Sequence, residues 1–97
     1  MASLFNGIRW IWKDGAFIRW EDATLHVMSH VVHYGSSVFE GIRFYDTPKG
    51  PSIFRLDDHI ERFFDSAKIY RMEPGPSADE LRHACHELLR RNDMVEG

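Results

Sequence analysis

Ninety-seven residues, 43% hydrophobic and 28% charged, describe an ordinary soluble chain rather than a fibrous, disordered or membrane one. At 11.4 kDa there is room for one core and not two, and a folded surface of about 5,800 Å² is expected. A net charge of −3 argues against nucleic acid or an anionic membrane as the main partner.

The single cysteine, Cys85, excludes an internal disulfide and suits a reducing compartment. No apolar run approaches the roughly 20 residues needed to span a bilayer. Met1 to Gly7 lacks a basic stretch leading into an apolar one, so the cytoplasm is the expected address. Aromatic residues reach 13%, more large apolar area than one small core can hide. That surplus implies a second subunit or domain as cover.

Taken in order, Ile8–Trp12 and Ala16–Trp20 read as strands, β-branched and aromatic, joined by turn chemistry at Lys13-Asp14-Gly15. From Glu21 to Tyr34 neither a period of 2 nor one of 3.6 holds, and a turn of helix is expected after Ser29, ending at Gly35. Ser36 to Asp46 alternates as a long strand: Val38, Glu40, Ile42 and Phe44 point one way, Phe39, Gly41, Arg43 and Tyr45 the other. Thr47 to Pro51 is a turn and Ser52–Arg55 a short returning strand.

Two helices follow. Asp58 with Glu61 resembles a capping box, before a buried stripe of Ile60, Phe63, Phe64, Ala67 and Tyr70. Pro74-Gly75-Pro76 stops that helix. Ser77 with Glu80 caps the next, whose apolar face is Leu81, Ala84, Cys85, Leu88 and Leu89 and whose end falls near Asn92. The fold class is α+β, a small antiparallel sheet with two helices packed on one face.

Few residues advertise chemistry. His26, His30 and His33 would converge on a metal only if their segment were helical, and no acidic or thiol ligand accompanies them. Hydrogen bonding to loop backbone is the simpler reading. His83 and His86 fall on the polar face of the last helix and read as solvated. Cys85 lies on an apolar stripe, where a thiol is inert. No Gly-rich phosphate loop is present. Gly41 inside a strand, two residues before Arg43, marks either the close approach of a ligand or a sheet kink beside a surface Arg. Arg62 projects opposite the apolar stripe, with His59, Ser66 and Ile69, and by periodicity is a solvated residue paired with Asp58.

The stretches Trp20-Glu21-Asp22-Ala23, His26-Val27-Met28-Ser29-His30, His33-Tyr34-Gly35 and Ser37-Val38-Phe39-Glu40-Gly41-Ile42-Arg43 carry a resemblance, together with His59-Ile60-Glu61-Arg62 and Ser66-Ala67-Lys68-Ile69-Tyr70. They are similar to the N-terminal part of a branched-chain amino-acid aminotransferase, of the class IV fold of pyridoxal-phosphate enzymes. The resemblance covers Ile8 to Asn92. It implies that residues 1–97 are the first, smaller domain of a two-domain enzyme. That enzyme moves the amino group of Leu, Ile or Val to 2-oxoglutarate through pyridoxal 5′-phosphate and works as a homodimer.

By the same resemblance Arg62 binds the cofactor phosphate and Phe39 lines the side-chain pocket. Tyr34 reaches the neighbouring subunit's site, and Gly41 and Arg43 border the pocket. The Schiff-base lysine belongs to a C-terminal domain absent from these 97 residues. Lys68 corresponds to no catalytic lysine, so no catalytic residue is expected here and the piece alone is expected to be inactive. The alternatives are another class IV enzyme, a D-amino-acid aminotransferase or aminodeoxychorismate lyase, and a non-catalytic dimerisation or binding module. The run Phe39 to Arg43 favours the branched-chain branch.

Overall fold

A computed structural model describes residues 7–94, 96 and 97; the reading of the N-terminus, which rests on Met1 to Asn6, lies outside the described residues. The first hairpin pairs β1 (Trp10–Lys13) with β2 (Ala16–Arg19). Its two-residue turn puts Asp14 at φ 52° and Gly15 at φ 88°, the left-handed pair that matches strand twist, as the Asp-Gly sequence requires. A single 3-10 turn follows at Trp20–Asp22.

The next element is α1 (His30–Tyr34), preceded by Ser29 and closed by Gly35 at φ 66°, whose N–H donates to Val31 O. This is the helical turn expected after Ser29. β3 (Phe44–Thr47) and β4 (Gly50–Ile53) form the second hairpin, in register Phe44↔Ile53. The helices are α2 (Leu56–Ile69) and α3 (Ala78–Arg91).

The α+β class holds, with the described strands divided between two two-stranded sheets rather than gathered into one. The reason lies in residues 36–43, expected to be strand. Among the described residues no strand pairs with them, and an extended segment without a partner has no ladder. Their period of 2 survives nonetheless. Val38, Glu40 and Ile42 are half-buried and Phe44 buried, while Phe39, Gly41, Arg43 and Tyr45 are exposed. Beyond residue 43 the outer edge of β3 is met by Gly97, which exchanges two 2.9 Å backbone hydrogen bonds with Phe44.

Helix ends divide in the same way. Ser77 accepts from the Glu80 N–H and the Glu80 carboxylate accepts from the Ser77 N–H, the capping box read from the sequence. The Asp58–Glu61 box does not form. α2 starts three residues earlier, with Arg55 at the N-cap, because Leu56 is buried, and Asp58 becomes a first-turn residue paired with Arg55 at 2.8 Å, still well placed toward the positive helix end. α2 also stops before Pro74: Met72 N–H donates to Ala67 O and Arg71 N–H to Lys68 O. That is a Schellman ending with Arg71 in the left-handed region at φ 57°. Tyr70, expected on the buried stripe, is therefore a cap residue and exposed.

The buried core is small: Phe44, Leu56, Ile60, Ala67 and Ala84. Total accessible surface is 7760 Å², well above the roughly 5,800 Å² of a self-contained chain of this mass. The aromatic surplus is divided between half-buried and exposed rings. Trp10, Trp12 and Phe17 are half-buried, with the Arg91 guanidinium 5.2 Å from the Trp10 ring and 4.4 Å from the Phe17 ring. Among the described residues the exposed aromatic rings are Trp20, Tyr34, Phe39, Tyr45, Phe54 and Tyr70.

One polar residue joins the first hairpin to the last helix. Asn92, 6% exposed, accepts from the Arg9 and Trp10 N–H groups on Oδ1 at 2.7 and 2.9 Å. Its Nδ2 donates to Trp10 O at 3.0 Å and Leu88 O at 3.1 Å. All four hydrogen-bonding positions of the amide are used. Asn92→Ala should therefore cost about 1–3 kcal/mol, read as a lower urea midpoint at unchanged m-value.

Candidate functional site

Arg62 sits on α2 where the sequence places it, on the side away from Ile60, Phe63 and Ala67, but its partner is not Asp58. Its Nε–H donates to Glu40 Oε1 and its Nη2–H to Glu40 Oε2, both at 2.7 Å. The solvated pairing with Asp58 is thus corrected: Arg55 holds Asp58, and Glu40 arrives from a segment 22 residues earlier. His59, one turn before Arg62, places Nδ1 2.8 Å from Glu40 Oε2. A carboxylate can only accept, so Nδ1 carries the proton.

The Glu40 side chain is 8% exposed against 67% for Arg62. A carboxylate removed from water in this way needs both oxygens satisfied, and here they are. The Arg62 hydrogen bond, followed by that of His59, holds the Glu40 carboxyl down at about 2, from an ordinary 4.5. Glu87 is likewise held at about 2, chiefly by Arg90. Partial burial pushes the half-buried Cys85 thiol up, which favours the inert, protonated form.

Phe39, Gly41 and Arg43 share the other, exposed side of the same segment. Phe39 is 86% exposed, and the Arg43 guanidinium lies 5.8 Å from the Tyr45 ring centre. Tyr34, also exposed, has its ring centre 4.7 Å from that of His30, the two planes tilted by 39°. Nothing described lies within 4 Å of where a Gly41 Cβ would stand, so neither a kink nor a near neighbour within these residues requires the glycine. The structure brings Arg62, Glu40 and His59 together and leaves Phe39 and Arg43 facing away from them. A groove of 640 Å³ between the first hairpin and α3 gathers Trp12, Phe17, His83 and Glu87 and includes none of these predicted site residues.

The loop histidines make local contacts. His26 Nδ1 accepts from the Met28 N–H at 3.0 Å, and His30 Nδ1 meets Ser36 Oγ at 3.2 Å. Among the described residues no three His, Cys, Asp or Glu side chains are grouped as metal ligands, and no helix is long and apolar enough to cross a membrane.

Sequence reasoning missed Glu40 and His59. The available signal was a carboxylate at an inward position between Val38 and Ile42, which demands a cation or donor opposite.

Residues 37–97 match the family model for amino-transferase class IV. The chain belongs to the class IV aminotransferases. It is 55% identical over 86 residues to the branched-chain-amino-acid aminotransferase of Escherichia coli (strain K12), a match covering 89% of this chain and 28% of that protein. The Pseudomonas aeruginosa branched-chain-amino-acid aminotransferase is 50% identical over 84 residues, 87% of this chain and 27% of the relative.

Among solved structures, the Escherichia coli enzyme superposes with a TM-score of 0.89 at 53% identity, covering 92% of this chain and 29% of that one. The Thermobaculum terrenum branched-chain amino acid aminotransferase in its PLP-bound holo form gives 0.76 at 35% identity, covering 90% and 29%. The chain therefore spans less than a third of the length of these relatives, and the α+β arrangement is that of their matching region.

The low Glu40 pKa fixes a pH dependence. Between 4.5 and about 2 the unfolded chain binds a proton that folded Glu40 refuses, so stability rises with pH across that window. The contribution is full above 4.5 and is lost as pH falls through about 2. Urea unfolding across the acid range should show a shallower slope for Glu40→Gln than for wild type; parallel slopes would remove the ion pair from the account.

Proposed function

We propose that residues 1–97 are the small N-terminal domain of a two-domain branched-chain aminotransferase that transfers the amino group of Leu, Ile or Val to 2-oxoglutarate. The observation that carries this reading is the exposed end of Arg62. Of five guanidinium N–H donors, Glu40 takes two, and three remain for an anion. Planar, fixed donors of this kind suit phosphate oxygens, so the residues present fit the phosphate of pyridoxal 5′-phosphate. When bound, that cofactor supplies the electron sink for chemistry at the amino-acid α-carbon. Arg62 holds its phosphate in this reading.

Phe39 supplies an apolar wall for an aliphatic side chain, bordered by Gly41 and Arg43. Tyr34 reaches the site of a second subunit. Their exposure in this chain, and the surface in excess of a self-contained fold, support a covering C-terminal domain and a homodimer. The two relatives described above bear the branched-chain name, which favours this branch over a D-amino-acid aminotransferase, an aminodeoxychorismate lyase or a non-catalytic binding module. Location in the cytoplasm belongs to the same proposal.

The lysine that anchors the cofactor lies outside residues 1–97 in this reading, so those residues alone should transaminate no amino acid; turnover by them would sink it. In the two-domain enzyme, Arg62→Ala should weaken pyridoxal 5′-phosphate binding about 10- to 150-fold, the worth of a charge-assisted phosphate contact. Unchanged affinity in a titration of the apoenzyme removes Arg62 from the site.

A further inference from the structure

Resting on the reading of Arg62 as a phosphate ligand, we propose that Glu40 is a positioning residue that grips the Nε–Nη2 side of Arg62 and presents its Nη1 end to the oxygens of a phosphate ester. Three observations carry this. The grip is side-on and two-pronged, with both contacts at 2.7 Å, and it fixes the plane of the guanidinium as well as its place. The carboxylate is itself anchored by His59 on Oε2 and is nearly removed from solvent, whereas the Arg62 side chain is 67% exposed. Of the two partners, then, Glu40 is the fixed one and Arg62 the one being held. The donors left over are both hydrogens of Nη1 and one of Nη2, and together they face away from Glu40.

The charge balance sharpens the assignment. Glu40 and Arg62 cancel, so attraction to an incoming anion rests on oriented donors more than on net charge. A ligand oxygen must meet the Nη1 end. A freely turning Arg, or a Lys in its place, would offer a point or a moving target instead. The competing outcome is that a phosphate displaces Glu40 and takes the Nε–Nη2 side for itself. Against that stands the low exposure of Glu40, since its release would leave a carboxylate without its cation in a largely dry place.

Nitrogen-15 spectra of the arginine side chains of the two-domain apoenzyme decide the matter, with pyridoxine 5′-phosphate as the probe because it has no aldehyde to react with lysine. Arg62 signals are assigned by their loss in Arg62→Lys. In the wild type the Nε–H signal should hold its position while the Nη signals move as the probe is added. In Glu40→Gln, an isosteric change, Nε–H should respond too, because that side is now free. Movement of Nε–H in the wild type overturns the positioning role while leaving Arg62 as a phosphate ligand. No response of any Arg62 signal at saturating probe overturns the phosphate reading and the inference with it. Since the wild-type outcome is decisive by itself, the test stands even if Glu40→Gln does not fold. A purely structural role for Glu40 would change the melting temperature but not which nitrogen of Arg62 senses the ligand.

Discussion

A buried carboxylate in an unpaired stretch of chain sets most of what this structure presents. Residues 36–43 have no ladder partner among the described residues, so backbone hydrogen bonds do not hold them against α2. Glu40 supplies a tie. Its oxygens meet Arg62 and His59, both on α2 and one turn apart, so a single side chain pins the segment to one face of the helix. The alternation of side chains then follows from the extended backbone: once Glu40 faces α2, Phe39, Gly41 and Arg43 must face away. The same contact that arranges Arg62 thereby decides which residues are presented on the opposite surface.

Elsewhere the chain is held by a few polar junctions rather than by a large core. Asn92 ties β1 to the end of α3 through four hydrogen bonds. Arg91 lies between the rings of Trp10 and Phe17, covering aromatic area that a larger core would have covered with aliphatic groups. Arg82 bridges α3 to Asp57 at the start of α2 at 2.6 Å. Exposed ion pairs of that kind contribute little stability each. With five buried apolar residues among those described and a broad exposed apolar surface, the fold depends on junctions that orient its elements.

Much of the local structure was legible in the sequence. Asp14-Gly15 marks a turn because both residues tolerate positive φ. Ser77 with Glu80 marks a helix start because three residues bring each side chain to the other's N–H. Gly35 ends α1 because it accepts a left-handed conformation without a Cβ penalty. The alternation from Val38 to Tyr45 was readable too and put Glu40 on one side with Val38, Ile42 and Phe44, but which side faces inward was decided only by the packing against α2. These signals act within one turn of helix or one pleat of strand, so a few neighbouring residues determine them.

What only the tertiary structure decided is which distant groups meet. Arg62 met Glu40 from another segment rather than Asp58 on its own helix, the near carboxylate that periodicity favours. Asp58 went to Arg55 because α2 begins at Leu56, and α2 begins there because Leu56 finds buried surroundings. Those surroundings are assembled by the whole chain and appear in no short window. Asn92 reads locally as the residue that ends a helix, and only the arrival of β1 beside it, 82 positions earlier, turns its amide into a junction. Local rules depend on backbone torsions and short spacings that the sequence states outright. Pairing across the fold depends on the path of the chain, which is settled by burial and by the need to satisfy each polar group taken out of water.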